Sequence, residues 1–275
     1  MLWAQLLVCI LALAAAAMGA DSAVSPAAIE SGYREMYNLD FDGAHSVFQL
    51  WEANHPDDAL GPVSNAAAYL FAEFNRLHVL ESELFTNDQR FAKRQKLAPD
   101  PETRAAFDRE LAKAEEIAGR ILSTSPQDTN ALFAETMASE LRGNYAAMIE
   151  KRNAAGLNYM KAGRVVAQKL LAFDPSYYDA YLAVGVENYL LGLSSAPVRW
   201  FLRLGGAQTN KDDGIAQLRI TAEKGHYLAP YARLLLAVAA LRDHDRETAR
   251  RLLSGLAEDF PQNQLYRKEL ARLQP

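Results

Sequence analysis

The chain has 275 residues, with 29 Lys and Arg against 34 Asp and Glu and a formal charge of −5. Half of it is apolar and 23% is charged, which excludes both a disordered chain and a multi-span membrane protein. The mild acidity gives no electrostatic footprint for nucleic acid, so no nucleic-acid partner is expected.

Residues 1–20 carry no charged side chain, and Leu6 to Ala17 form an apolar run of the length of a signal-peptide core. Cleavage is expected after Ala20 or after Ala17, giving a periplasmic or secreted protein. The alternative is an uncleaved membrane anchor, and membrane contact is expected only through this segment. Cys9, the only cysteine, falls inside it, so residues 21–275 have no thiol for disulfides, metal ligation or nucleophilic chemistry.

Past residue 20 the sequence reads as helix after helix. Ala and Leu number 86 and Val, Ile and Thr only 26, which favours helix because β-branched side chains lose more rotamer freedom there. Ser25-Pro26 and Asp100-Pro101-Glu102 place a capping side chain before a proline at the first helical position; Ser176, Asn210 and Asp245 are weaker starts. The spacing predicts twelve helices: 26–38, 41–54, 62–79, 101–124, 128–141, 144–173, 177–192, 197–204, 211–224, 229–242, 245–259 and 262–273. Nothing alternates with period two, so no sheet is expected.

Four prolines share a register. Pro56, Pro126, Pro175 and Pro261 each stand twelve residues after a small residue: Ala44, Ala114, Gly163 and Ala249. Between them, four and seven residues past the small one, lie Phe48 and Trp51, Ala118 and Ile121, Ala167 and Leu170, Leu253 and Leu256. These positions share one helix face. The small residue lets a neighbouring helix approach closely, and the proline stops the helix.

This pattern resembles the second helix of the tetratricopeptide repeat (TPR) family. The segment 41–58 (FDGAHSVFQLWEANHPDD) matches it best, followed by 231–261, where Leu236 and Ala237 fall near the leucine and glycine positions of the first helix. The marks are 70, 49 and 86 residues apart, where the family repeats every 34 or so. Helix 144–173 reads as twice the usual length, and 80–100 and 193–214 read as insertions. The expected fold is therefore all-α, a divergent TPR-like array of helical hairpins over 21–275. The resemblance implies a curved array whose concave face binds a protein or peptide.

Catalytic constellations are absent from the sequence. The five histidines, His45, His55, His78, His226 and His244, make no helical zinc motif, and His244 reads as part of a polar turn. Gly205-Gly206 before Lys211 lacks the second glycine and the strand of a phosphate loop. Neither cofactor nor metal is expected, and the chain reads as a non-enzyme. The basic run Arg90 to Lys96 reads as a solvated connector. Glu187 and Asn188 interrupt an apolar helix and need partners if buried. Asn158, Lys161 and Arg164 on helix 144–173, with Asn188 and the pair Arg199 and Arg203 beside Trp200, are the candidate partner-binding residues; Arg and Trp are frequent interface anchors. The leading function is a protein- or peptide-binding scaffold or adaptor of the bacterial envelope. The alternative is a small-ligand or lipid carrier of a transport pathway, with an apolar cavity lined by residues such as Trp200, Tyr189 and Met160.

Overall fold

Alanine-rich segments whose apolar residues recur at helical spacing can bury them only against one another. The computed structural model, which describes residues 27–80, 96–193 and 210–273, shows that outcome. The described residues form α1 (Ala27–Tyr37), α2 (Phe41–Asn54), α3 (Leu60–Arg76), α4 (Pro101–Thr124), α5 (Thr129–Asn144), α6 (Asn153–Phe173), α7 (Tyr181–Gly192), α8 (Lys211–Lys224), α9 (Ala229–Arg242), α10 (Arg246–Asp259) and α11 (Gln264–Arg272), with no strand. They pack in sequence as five hairpins, α1–α2 through α9–α10, closed by α11. The protein is an all-α array of helical hairpins. The expected helix 197–204 and the expected signal segment lie outside the described residues.

All four small residues sit at the buried helix contacts: Ala44, Ala114 and Ala249 are buried, as is Gly163. The chain then ends each helix in the same way. The residue before each proline, His55, Ser125, Asp174 and Phe260, has φ between −126° and −133° and ψ between 66° and 91°. Its N–H donates to the carbonyl of the position seven past the small residue, Trp51, Ile121, Leu170 and Leu256. Its carbonyl then accepts from the N–H three residues on, at 3.0–3.2 Å, closing a turn with proline second. In two of the four turns that last residue caps the next helix, the Oδ1 atoms of Asp128 and Asn263 accepting from Ala131 and Leu265; Asp58 Oδ1, one residue before the Ala59 N-cap, accepts from Leu60.

A fifth contact of this kind has no proline. Gly214, Leu218 and Thr221 on α8 occupy the small, +4 and +7 positions and are buried, so the 86-residue interval divides into 51 and 35. The approach at Gly214 is close: a Cβ there would lie 2.5 Å from the Tyr189 amide nitrogen. Where the other helices have proline, α8 has Gly225-His226. Its exit turn is held instead by Asp179, whose carboxylate accepts from the N–H groups of His226 (2.9 Å), Tyr227 (3.1 Å) and Leu228 (2.7 Å).

The expected helix 144–173 is in fact a turn and a helix. A π-helical turn, Tyr145–Ile149, extends α5; Lys151 then takes a left-handed conformation (φ 59°), and α6 begins at Asn153. Gly143 and Gly156 face each other across this reversal, and a Cβ on Gly156 would sit 2.8 Å from the Ala147 Cβ. Asp100, Asn210 and Asp245 cap their helices as expected. Ser176 does not: its N–H and hydroxyl both donate to Asp174, and α7 starts at Tyr181 after a short 3-10 turn.

The array curls until its first helix meets the turns flanking the fifth hairpin. Tyr37 Oη donates to the Tyr227 carbonyl (3.0 Å), and Asn263 Nδ2 donates to the Tyr37 carbonyl (2.8 Å). Tyr33 stacks on Tyr227, and Tyr37 packs against Phe260. The first helices of all five hairpins therefore face one shared interior. No described helix is long and apolar enough to cross a membrane.

Two measurements check this account. Ala44→Leu and Ala249→Leu each overfill a close contact and are expected to lose about 1–3 kcal/mol in denaturant melts; unchanged midpoints in both would remove the register argument. His244, at φ 63°, ends α9 in a left-handed cap that glycine adopts without Cβ strain. His244→Gly is expected to gain about 0.5–1 kcal/mol, read as a higher melting temperature.

Candidate functional site

Helix α6 has 21 residues and no Asp or Glu. Its inner face buries Gly156, Gly163, Arg164, Ala167 and Leu170. On the opposite side the row Leu157, Lys161, Val165, Lys169, Phe173 runs at four-residue intervals, so it forms one ridge of the helix surface. Every member is exposed, and the apolar ones markedly so: Leu157 is 37% exposed, Val165 53% and Phe173 44%. Asn158, also exposed, flanks the ridge at its N-terminal end. The outcome is a helix face on which apolar and basic side chains alternate, in a chain of net negative charge.

The inner face is electrostatically different. Arg164 Nε lies 2.6 Å from Glu187 Oε2 on α7, both side chains being buried. Arg164 Nη1 also donates to Gln168 Oε1 on its own helix (3.0 Å). Burial pushes the Glu187 carboxyl above its usual range, while the charges of Arg164 and Lys161 pull it back. Asn188 Nδ2 donates to Gln217 Oε1 on α8 (2.8 Å). Glu187 is thus paired with Arg164 and the Asn188 amide nitrogen with Gln217, while the buried Asn188 Oδ1 has no hydrogen-bond partner.

Behind Gly163 stands Glu140 of α5, whose Oε1 is buried with no hydrogen-bond partner. A Cβ on Gly163 would come within 2.7 Å of that oxygen, so the small residue here makes room for a carboxyl as well as for a helix. Burial, and behind it the negative charge of Glu187, holds the Glu140 carboxyl well above its usual 4.5.

The candidate residues therefore fall into three groups. Asn158 and Lys161 lie on the outer ridge. Arg164 and Asn188, both expected among the partner-binding residues, are buried at the α6–α7 and α7–α8 seams and bind side chains of the chain itself. Arg199, Trp200 and Arg203 lie outside the described residues. The sequence reading missed Leu157, Val165, Lys169 and Phe173; the four-residue recurrence and the absence of acid across α6 were the available signals. Among the described residues no group of three or more His, Cys, Asp or Glu is placed to hold a metal ion.

No protein-family model and no curated protein matches the chain. Among solved structures the chain is similar to a thermophilic TPR protein from Thermus thermophilus, at 16% identity and a TM-score of 0.43, over 90% of this chain and 98% of that one.

Glu140 gives a test of the inner cluster. The native state keeps a proton that the unfolded chain has released, so its contribution is complete below about pH 4.5 and is lost as the pH rises toward the native value. Glu140→Gln is expected to melt like the parent near pH 4 and at higher temperature near pH 8, with the gap widening between. Parallel melting curves across that range would show that Glu140 ionises without cost.

Proposed function

We propose that the chain is a non-catalytic, exported helical-repeat protein, a scaffold or adaptor of the bacterial envelope, that binds a protein or peptide partner on the outer face of α6. The observation that carries this reading is the exposed ridge Leu157–Lys161–Val165–Lys169–Phe173. A lone exposed leucine is ordinary on any protein surface, whereas aligned apolar side chains on one helix mark an interaction site. The alternating lysines set the partner's chemistry: an amphipathic segment carrying acidic residues at matching intervals. A second copy of the same ridge fits poorly. Two-fold pairing about Val165 sets Lys161 against Lys169, and like charges in contact weaken association.

The inner face contributes less to this function, because the interior is closed by the Tyr33, Tyr37, Tyr227 and Phe260 contacts and lined by the chain's own first helices. Export rests on the apolar run Leu6–Ala17 and the small residues Ala17 and Ala20. The mature protein is then periplasmic or secreted, or held at the membrane by residues 1–20 if they are retained.

Photo-crosslinking in the producing cell tests the reading. A crosslinking amino acid at Leu157 is expected to yield a discrete adduct, lost in a Val165→Glu, Lys169→Glu double variant. The same group at Leu50, 63% exposed on α2, is expected to yield none. Equal adducts from both positions, or an adduct that survives the double variant, would refute an α6 site. Intact mass of the exported protein is expected to show loss of residues 1–17 or 1–20.

A further inference from the structure

The shared interior of the five hairpins is incompletely filled. A cavity of about 200 Å3 is walled by Phe74 of α3, Met148, Met160 of α6, Leu190 of α7 and Leu235 and Val238 of α9. A smaller one of about 60 Å3 adjoins it, the two sharing Asn144, Val186 and Tyr231. Met160, named from the sequence for such a cavity, does line it; Tyr189 does not, and Trp200 lies outside the described residues.

We infer that this interior is a binding site for a small, uncharged and largely apolar molecule carrying at most one polar group. Three observations lead there. First, protein interiors are packed nearly to crystal density, and an empty void lowers stability in proportion to its volume. An apolar cavity of about 150 Å3 in another protein stays dry and takes up a single aromatic ring, so a void of this size suits one ring or a short aliphatic chain. Secondly, no Lys, Arg or His lines either cavity among the described residues, so an anion meets no counter-charge. The carboxylate at the wall of the larger cavity, Glu269, is already paired with Arg272 Nη1 at 2.7 Å, so it does not call for a cationic ligand. Thirdly, the larger cavity has few polar residues in its wall, Asn144, Tyr231 and Glu269, and the further ones, Glu140 and Asp179 among them, line the smaller cavity. Asn144 lines both, and Glu140, whose buried Oε1 has no hydrogen-bond partner, lines the smaller. Two methionines in the wall adapt to differently shaped ligands through their flexible thioethers. The site is separate from the α6 ridge and stands whether or not a protein binds there.

Titration of the full chain with toluene, n-octanol and octanoate, followed by ligand-detected NMR and thermal melting, tests the inference. Saturable binding of toluene and octanol is expected, each raising the melting temperature, with octanoate at least tenfold weaker at neutral pH. Val238→Phe fills the larger cavity and is expected to weaken octanol binding at least tenfold. Asn144→Leu is expected to keep toluene binding and to lose the preference for octanol. Val165→Glu, on the outer ridge, is expected to change neither. Absence of saturable binding by the parent protein overturns the inference, as does octanol binding that survives Val238→Phe or disappears in Val165→Glu. If Val238→Phe does not fold, the parent titration and Asn144→Leu decide the matter alone.

Discussion

Close approach of neighbouring helices at five short side chains governs the rest of this architecture. Ala44, Ala114, Gly163, Gly214 and Ala249 each sit where the second helix of a hairpin meets its neighbours with nothing longer than a methyl group between them. Each begins the same sequence of events along the chain. Four residues on, a side chain fills the seam; seven on, a backbone carbonyl receives the helix-ending N–H; the chain then turns and starts the next first helix. The burial obtained at one contact is repeated at the next, and stacking is what makes each hairpin stable, because a single pair leaves its apolar stripe in water.

Stacking alone would give an open solenoid with independent ends. Here the ends meet. Tyr33 and Tyr37 of the first helix reach the turns at Tyr227 and Phe260–Asn263, almost two hundred residues and more away in sequence. Burial drives the phenol of Tyr37 well above its usual range, and its hydroxyl is satisfied as a donor to a backbone carbonyl. A closed array loses the nearest-neighbour independence of a linear one, and its concave side becomes an interior. This is why the open groove implied by the TPR resemblance is replaced by an interior lined by the first helices.

The sequence carried the helices well and the seams poorly. The spans 41–54, 101–124, 211–224 and 229–242 coincide with the observed ones, because capping side chains or turn-forming prolines bound them. The break at 150–152 left no such mark. Lys151 adopts its left-handed conformation without being glycine or asparagine, so nothing local announces the end of α5. Gly214 has no proline mark either: α8 ends at Gly225 under the hold of Asp179, which lies 47 residues from His226 in sequence. The site suffered from the same ambiguity. Arg164 and Lys161 are three residues apart, one buried and one exposed, and α6 carries apolar residues on both sides. Periodicity there identifies a helix without saying which face is inside.

Buried polar contacts lie at several joints, at α2–α3, where Asn65 meets His45 and Glu52, as well as at α6–α7 and α7–α8. Ala–Leu seams are permissive: one helix can slide along another by a turn and still bury similar surface. A buried ion pair adds little net stability, yet leaving one partner alone costs about 3–5 kcal/mol, so such a pair penalises the wrong register. Arg164–Glu187 joins α6 to α7, Asn188–Gln217 joins α7 to α8, and Asp179 secures the exit from α8. The first two joints lie along the 51-residue interval from Gly163 to Gly214, and the third secures the exit turn that lacks a proline. The α2–α3 and α4–α5 joints have the proline, and there Asp58 and Asp128 accept backbone N–H groups at the turn itself. Specific polar contacts thus supplement turn chemistry in setting register along α6 to α9, at the price of burying charge beside Glu140, whose carboxyl burial pushes well above its usual range.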